Sequence, residues 1–134
     1  MPTLSAFADE VTDDFRGQVE YLVREQVKGI ELRFLDRKNI LDLTAGEQKE
    51  VGRILRDHAI RVSAIGSPIG KVPINEPFAP HLDRFKKAVD MALFFETRLI
   101  RLFSYYPPVG GNIQDYRQEV IDRLCAKREI IKNT

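Results

Sequence analysis

Tryptophan is missing from this chain, cysteine occurs once, histidine twice, and no apolar run is long. Each shortage excludes something. A lone Cys125 has no internal disulfide partner, so packing must hold the fold, and a cytoplasmic setting is the simplest expectation. Two isolated histidines, His58 and His81, do not make a metal site. No segment approaches the roughly 20 apolar residues of a membrane span, and the Met-Pro-Thr-Leu-Ser-Ala start lacks a basic region followed by a long apolar stretch. Neither a membrane nor a signal peptide is therefore expected. Net charge is nearly absent as well: 21 basic and 20 acidic side chains leave +1. That balance offers no electrostatic reason for nucleic acid as a partner.

What is present suits one globular domain over residues 1–134, with 43% hydrophobic and 31% charged residues. Two periodicities alternate along it. Short apolar segments with a repeat of two occur at Leu4–Ala8, Ile30–Leu35, Val62–Gly66 and Leu99–Ser104. Helical spacing fills the intervals. A first helix over about 13–26 presents Phe15, Val19, Leu22 and Val23 on one face, with Thr12 or Asp13 as cap. A second over about 45–58 opens with a capping box, Thr44 and Glu47, and buries Val51, Ile54 and Leu55. A third over about 78–95, with Pro77 and Pro80 near its start, carries Leu82, Phe85, Val89, Ala92 and Leu93 inward. A fourth over about 113–128 has Asn112 as cap and Ile113, Tyr116, Val120 and Leu124 inward. The order β-α-β-α-β-α-β-α predicts parallel strands with right-handed crossovers.

The strands are not apolar throughout, as they would be between two helix layers. In the second, Ile30, Leu32 and Phe34 alternate with Glu31 and Arg33; in the fourth, Ile100 and Leu102 alternate with Arg101 and Phe103. In the third, Val62 and Ala64 are set against Ser63 and Ile65. One greasy face suits helices. A face carrying Glu31, Arg33 and Arg101 suits a barrel lumen, since unpaired buried charge under a helix layer is costly. The repeat of roughly 30 residues matches the units of an eight-stranded α/β barrel of about 250 residues, of which four are seen here. The expected fold class is α/β, half of a (βα)8 TIM barrel. Its open edges and wet inner face predict closure by homodimerisation.

Barrel sites lie at the carboxyl ends of the strands. The most unusual segment there is Gly66-Ser67-Pro68-Ile69-Gly70-Lys71, where glycines, exposed amides and a lysine suit a small anion such as phosphate or carboxylate. It is not a Walker A loop, because the glycine spacing is one residue short and Val72 follows the lysine. Glu31, Arg33 and Arg101 form either a polar wall for a hydroxylated or phosphorylated ligand or a lumen-filling salt-bridge layer. Asp9 and Glu10 read best as acidic residues near a helix N-terminus. His58 and His81 read as surface or capping residues, Cys125 as a quiet thiol, and Tyr105 and Tyr106 as an aromatic lip or loop packing.

The segments Phe7-Ala8-Asp9-Glu10, Gly29-Ile30-Glu31-Leu32-Arg33, Ser63-Ala64-Ile65-Gly66-Ser67-Pro68-Ile69-Gly70-Lys71 and Ile100-Arg101-Leu102-Phe103-Ser104, in this order, resemble the xylose isomerase-like TIM barrels. The likeness covers roughly residues 4–125 and is greatest to the sugar phosphate isomerases/epimerases. The wider group also contains endonuclease IV-like repair enzymes, a branch disfavoured here by the neutral charge. The resemblance implies a barrel about twice this length, with a divalent metal such as Mn or Mg held by Glu, Asp, His and Glu at strands five to eight. Two of those carboxylates would move the proton α to a sugar carbonyl. Those strands are not in this chain, so no metal ligand, cofactor or catalytic residue is carried over. The pocket wall is: Glu31, Arg33, Ser67, Lys71 and Arg101 are the implied substrate-binding residues. The expected function is that of a truncated sugar phosphate isomerase/epimerase-like protein, a dimer bringing two copies of Glu31 together as acid and base. The alternative is a non-catalytic, self-associating half barrel that binds a small anion.

Overall fold

A computed structural model describes residues 3–132 and 134. Three strands, β1 (Ser5–Ala6), β2 (Gly29–Leu32) and β5 (Arg61–Ile65), form a parallel sheet in the order β1-β2-β5. A two-stranded antiparallel hairpin, β3 (Phe34–Leu35) and β4 (Lys38–Asn39), follows β2. Four α-helices complete the α/β fold: α1 (Phe15–Arg24), α2 (Ala45–Asp57), α3 (Phe78–Phe94) and α4 (Arg117–Ile131). The arrangement is compatible with a half-barrel-like unit. Among the described residues no helix is long and apolar enough to cross a membrane.

The fourth expected strand is extended but irregular. It joins β5 through a single parallel bridge, Ile65 to Ile100, and runs on beside the loop after β5 to a second bridge, Pro73 to Tyr106. Pro68 has no N–H to give, and Gly70 turns with φ of +85°, so the neighbouring segment is too bent for a regular ladder.

One core unites Ile30, Leu32 and Ile65 of the sheet with Phe15, Val19 and Leu22 of α1, Val51, Ile54 and Leu55 of α2, and Phe85, Ala88 and Val89 of α3. Removing each of the Val, Leu, Ile and Phe side chains from water stabilises the fold by roughly 1.5–3 kcal/mol. The capping box that opens α2 is present: Thr44 Oγ1 accepts from the Glu47 amide, and the Glu47 carboxylate accepts from the Thr44 amide at 2.7 Å.

Several expected faces change. The register slips between Ile30 and Glu31, so that Ile30 faces Val62 but Glu31 faces Ala64. That bulge puts Ile65 with Leu32 in the core and Ala64 beside Glu31, reversing the alternation expected at the end of the third strand. β2 stops at Leu32 because the chain folds back through Asp36 and Arg37, both at positive φ, and Phe34 is left exposed. On α1 the cap is Asp14, and Gln18 is buried in place of Val23. The Gln18 amide donates to the carbonyls of Thr12 and Phe34, an anchorage that exposed Val23 could not supply. Leu93 at the end of α3 is exposed. Asn112 caps a short 3-10 turn, Ile113–Tyr116, ahead of α4. α4 departs furthest: its buried residues are Arg123 and Lys127, while Ile113 lies in the open and Tyr116, Val120 and Leu124 are only partly covered.

Candidate functional site at the carboxyl edge

β1 and β2 deliver two acidic residues and an arginine to the same end of the sheet. Past β1 the chain makes a 3-10 turn, Ala8–Glu10. Arg33, just beyond β2, donates from Nε to Asp9 Oδ2 at 2.7 Å, from Nη2 to Asp9 Oδ1 at 3.1 Å, and from Nη2 to Glu10 Oε1 at 3.2 Å. The Asp9 hydrogen bond is the main reason the Arg33 guanidinium is held above the ordinary arginine range, against the opposing cost of burial. Asp9 and Glu10 thus answer Arg33. The bidentate geometry with a largely buried Asp9 marks this pair as structural.

Arg101 sits on the same face, next in line across the sheet, and is held differently. Its Nη2 donates to the carbonyl of Gly66 at 3.1 Å, with longer approaches to that of Ser67. No carboxylate pairs with it among the described residues. Burial, and next the charge of Arg33, press its guanidinium below the ordinary arginine range. Two phenylalanines support these cations. The Arg33 Cζ lies 4.7 Å from the Phe7 ring centroid, and the Arg101 Cζ lies 5.0 Å from those of both Phe7 and Phe103. The Lys71 Nζ stands 5.8 Å from the Phe103 ring. A ladder of cation and aromatic ring therefore crosses the edge. The sequence signals Phe103 through its place two residues from Arg101, on the same face of one strand, but carries no such mark for Phe7.

Glu31 is half-buried on this wall, opposite Ala64, and its carboxylate makes no hydrogen bond or ion pair among the described residues. Ser67 is fully buried, and its hydroxyl donates to the Arg101 carbonyl at 2.6 Å while accepting from the Ile69 amide. It serves the site by fixing the Arg101 backbone. Exposed loop amides, expected as an anion cradle, are not found. Those of Gly66, Ser67, Ile69, Gly70 and Lys71 donate to Leu32 O, Ile65 O, Ser67 Oγ, His81 Nε2 and Pro68 O respectively. Without a free donor the backbone cannot grip an anion, and Lys71 and Arg101 remain as the cationic groups.

His81 is not a surface or capping residue. Its Nε2 accepts the Gly70 amide at 3.0 Å, and its ring lies 5.4 Å from that of Tyr105. Tyr105 is buried and takes a hydrogen bond of 2.6 Å from the Lys127 Nζ, whereas Tyr106 is exposed. Burial brings Lys127 down to about 8 and His81 down to about 4, the positive charges of Lys127, Arg123 and Arg84 adding to the effect on His81. His81 titrates near 6.5 in the unfolded chain. Between that value and about 4 the unfolded chain binds the extra proton, so stability falls as pH drops through this window. Thermal melts from pH 7 to 4 should show the loss, and His81→Gln, whose amide oxygen can accept the Gly70 amide, should reduce the slope. A slope unchanged in the variant rules the assignment out.

His58 behaves as expected, its Nδ1 lying 2.8 Å from the Ile54 carbonyl at the end of α2, and Cys125 is exposed and unpaired. Among the described residues no group of three His, Cys, Asp or Glu side chains gathers to hold a metal ion. A scan against protein-family models finds no match for this chain, and a search of curated proteins finds none either.

Proposed function

We propose that the carboxyl edge of this sheet binds a small anionic, hydroxylated ligand of the sugar phosphate class, as one half of an isomerase/epimerase-like TIM barrel that a second copy completes. The observation that carries this reading is Arg101. It is held by two carbonyls and two aromatic rings, lies close enough to Arg33 to feel its charge, and forms no ion pair with a carboxylate among the described residues. An anion seated there would relieve the repulsion and accept a planar pair of N–H groups, the geometry guanidinium offers to phosphate. Lys71 would add a point charge over the same Phe103 ring.

Calorimetric titration with sugar phosphates tests it. The wild type should bind, and Arg101→Met should weaken affinity at least about tenfold, the loss expected for one charge-assisted contact. Equal affinity in the two proteins would remove the assignment. Isomerase or epimerase chemistry is the further part of the reading. Glu31 favours it, as a half-buried carboxylate on the same wall that makes no hydrogen bond or ion pair among the described residues. Ketose–aldose interconversion and C3 epimerisation, assayed with and without Mn²⁺ or Mg²⁺ and compared with Glu31→Gln, separate a catalyst from the alternative, a binding protein without turnover.

A further inference from the structure

The segment 99–105 gives its odd-numbered residues to the rest of the molecule. Leu99 O accepts from the Ile65 amide, the Arg101 amide donates to Ile65 O, that of Phe103 to Ile69 O, and that of Tyr105 to Gly70 O. The even-numbered residues point the other way. Neither the N–H nor the C=O of Ile100, Leu102 or Ser104 has a hydrogen-bond partner among the described residues. Three consecutive outward positions with both groups free make a strand edge awaiting another strand.

Apolar side chains flank it. A groove of about 710 Å³ runs beside the edge, lined by Leu93, Leu99, Ile100, Leu102 and Ile131 among others. The opposite end of the sheet is also open, since β1 pairs as a strand with β2 alone among the described residues, and Leu4 beside it is 72% exposed. Leu99 and Leu102 are likewise exposed at the first edge, whereas between residues 28 and 90 Phe34 is the one exposed large hydrophobic side chain. The two ends are complementary, each a parallel edge with an apolar margin. A two-fold axis along the strand direction sets each against the other's counterpart and keeps all strands parallel.

We propose that Ile100–Ser104 is the docking edge for the β1 segment of a second copy, the outward amides and carbonyls of Ile100, Leu102 and Ser104 facing the free side of Ser5–Ala6 and the residues that flank it. The inference rests on the half-barrel reading above and names the contact that reading leaves open.

Leu102→Pro removes one outward N–H that has no partner among the described residues, and Leu102→Lys places a charge on the same edge. Sedimentation equilibrium at micromolar concentration should give twice the chain mass of 15.4 kDa for the wild type and the monomer mass for both variants, with wild-type circular dichroism. Hydrogen exchange of the peptide 99–105 in the wild type, followed by mass spectrometry, should slow about tenfold from dilute to concentrated protein. A wild-type monomer, a folded dimer that survives either substitution, or exchange independent of concentration overturns the proposal. A monomer that still binds sugar phosphate through Arg101 overturns this inference alone, and a dimer built on this edge that binds none overturns the binding reading alone.

Discussion

Replacing Gly70 with alanine should lower the melting temperature by about 10–20 °C, the largest effect expected of any single methyl group in this protein. A Cβ at that position would lie 1.8 Å from the Phe103 carbonyl oxygen and 2.6 Å from its carbon. Those atoms are backbone and cannot swing aside. The residue also holds φ at +85°, where a side chain is strained whatever the space. Backbone strain of about 1–3 kcal/mol and overpacking of a similar size add to roughly 2–6 kcal/mol. That is a large share of the 5–15 kcal/mol typical of a domain. Gly46 is the matched control. Nothing lies within 4 Å of its would-be Cβ, and it sits in the first turn of α2, so alanine there should hold or raise the melting temperature. If both substitutions act alike, the close approach of Gly70 to Phe103 is not a constraint on this fold.

Asp9→Ala should cost about 2–4 kcal/mol in denaturant unfolding, because it leaves the Arg33 guanidinium without its bidentate partner. The Asp9 carboxylate is 6% exposed and Arg33 24%, so water replaces the lost bonds poorly. Glu10 retains a single contact with Arg33, but its side chain is 67% exposed and screened. Arg33→Met keeps the stem over Phe7 but leaves the more deeply buried Asp9 carboxylate without its arginine, so it should cost at least as much as Asp9→Ala, and the double variant should cost less than the sum of the two. A coupling near zero would show that the pair contributes nothing beyond its separate side chains. The same variants separate roles at the edge. Arg33 acts through Asp9 and the chain, so its loss should appear chiefly in stability, whereas loss of Arg101 should appear in ligand affinity.

The α/β class and all four helices were legible because each rests on local chemistry. The Thr44–Glu47 box lies within one turn, and the stripe Val51, Ile54, Leu55 follows from the pitch of a helix. α4 was misread for the opposite reason. Its apolar residues fall at helical spacing, yet the neighbours it meets are Tyr105, Phe78 and the Glu76 carbonyl, which select Arg123 and Lys127 through cation–π contacts and hydrogen bonds. Nothing within the helix announces that surrounding. The hairpin after β2 was also hidden, since its turn residues Asp36 and Arg37 include no glycine to mark positive φ.

At the site, alternation alone placed Glu31 and Arg33 together and pointed to Arg101 on the next wall, because side chains along a strand must take opposite faces in turn. The periodicity of about 30 residues likewise determined that strands would neighbour their successors in parallel. Tertiary structure decided which charge meets which. Arg33 is answered by Asp9 from 24 residues away, the amides of the Gly66–Lys71 loop are consumed by its own neighbours and by His81, and Arg101 is left with carbonyls and rings. A side chain's direction follows from its own backbone, which the local sequence sets. Its partner is supplied by a distant segment brought alongside, and only the folded chain brings it there.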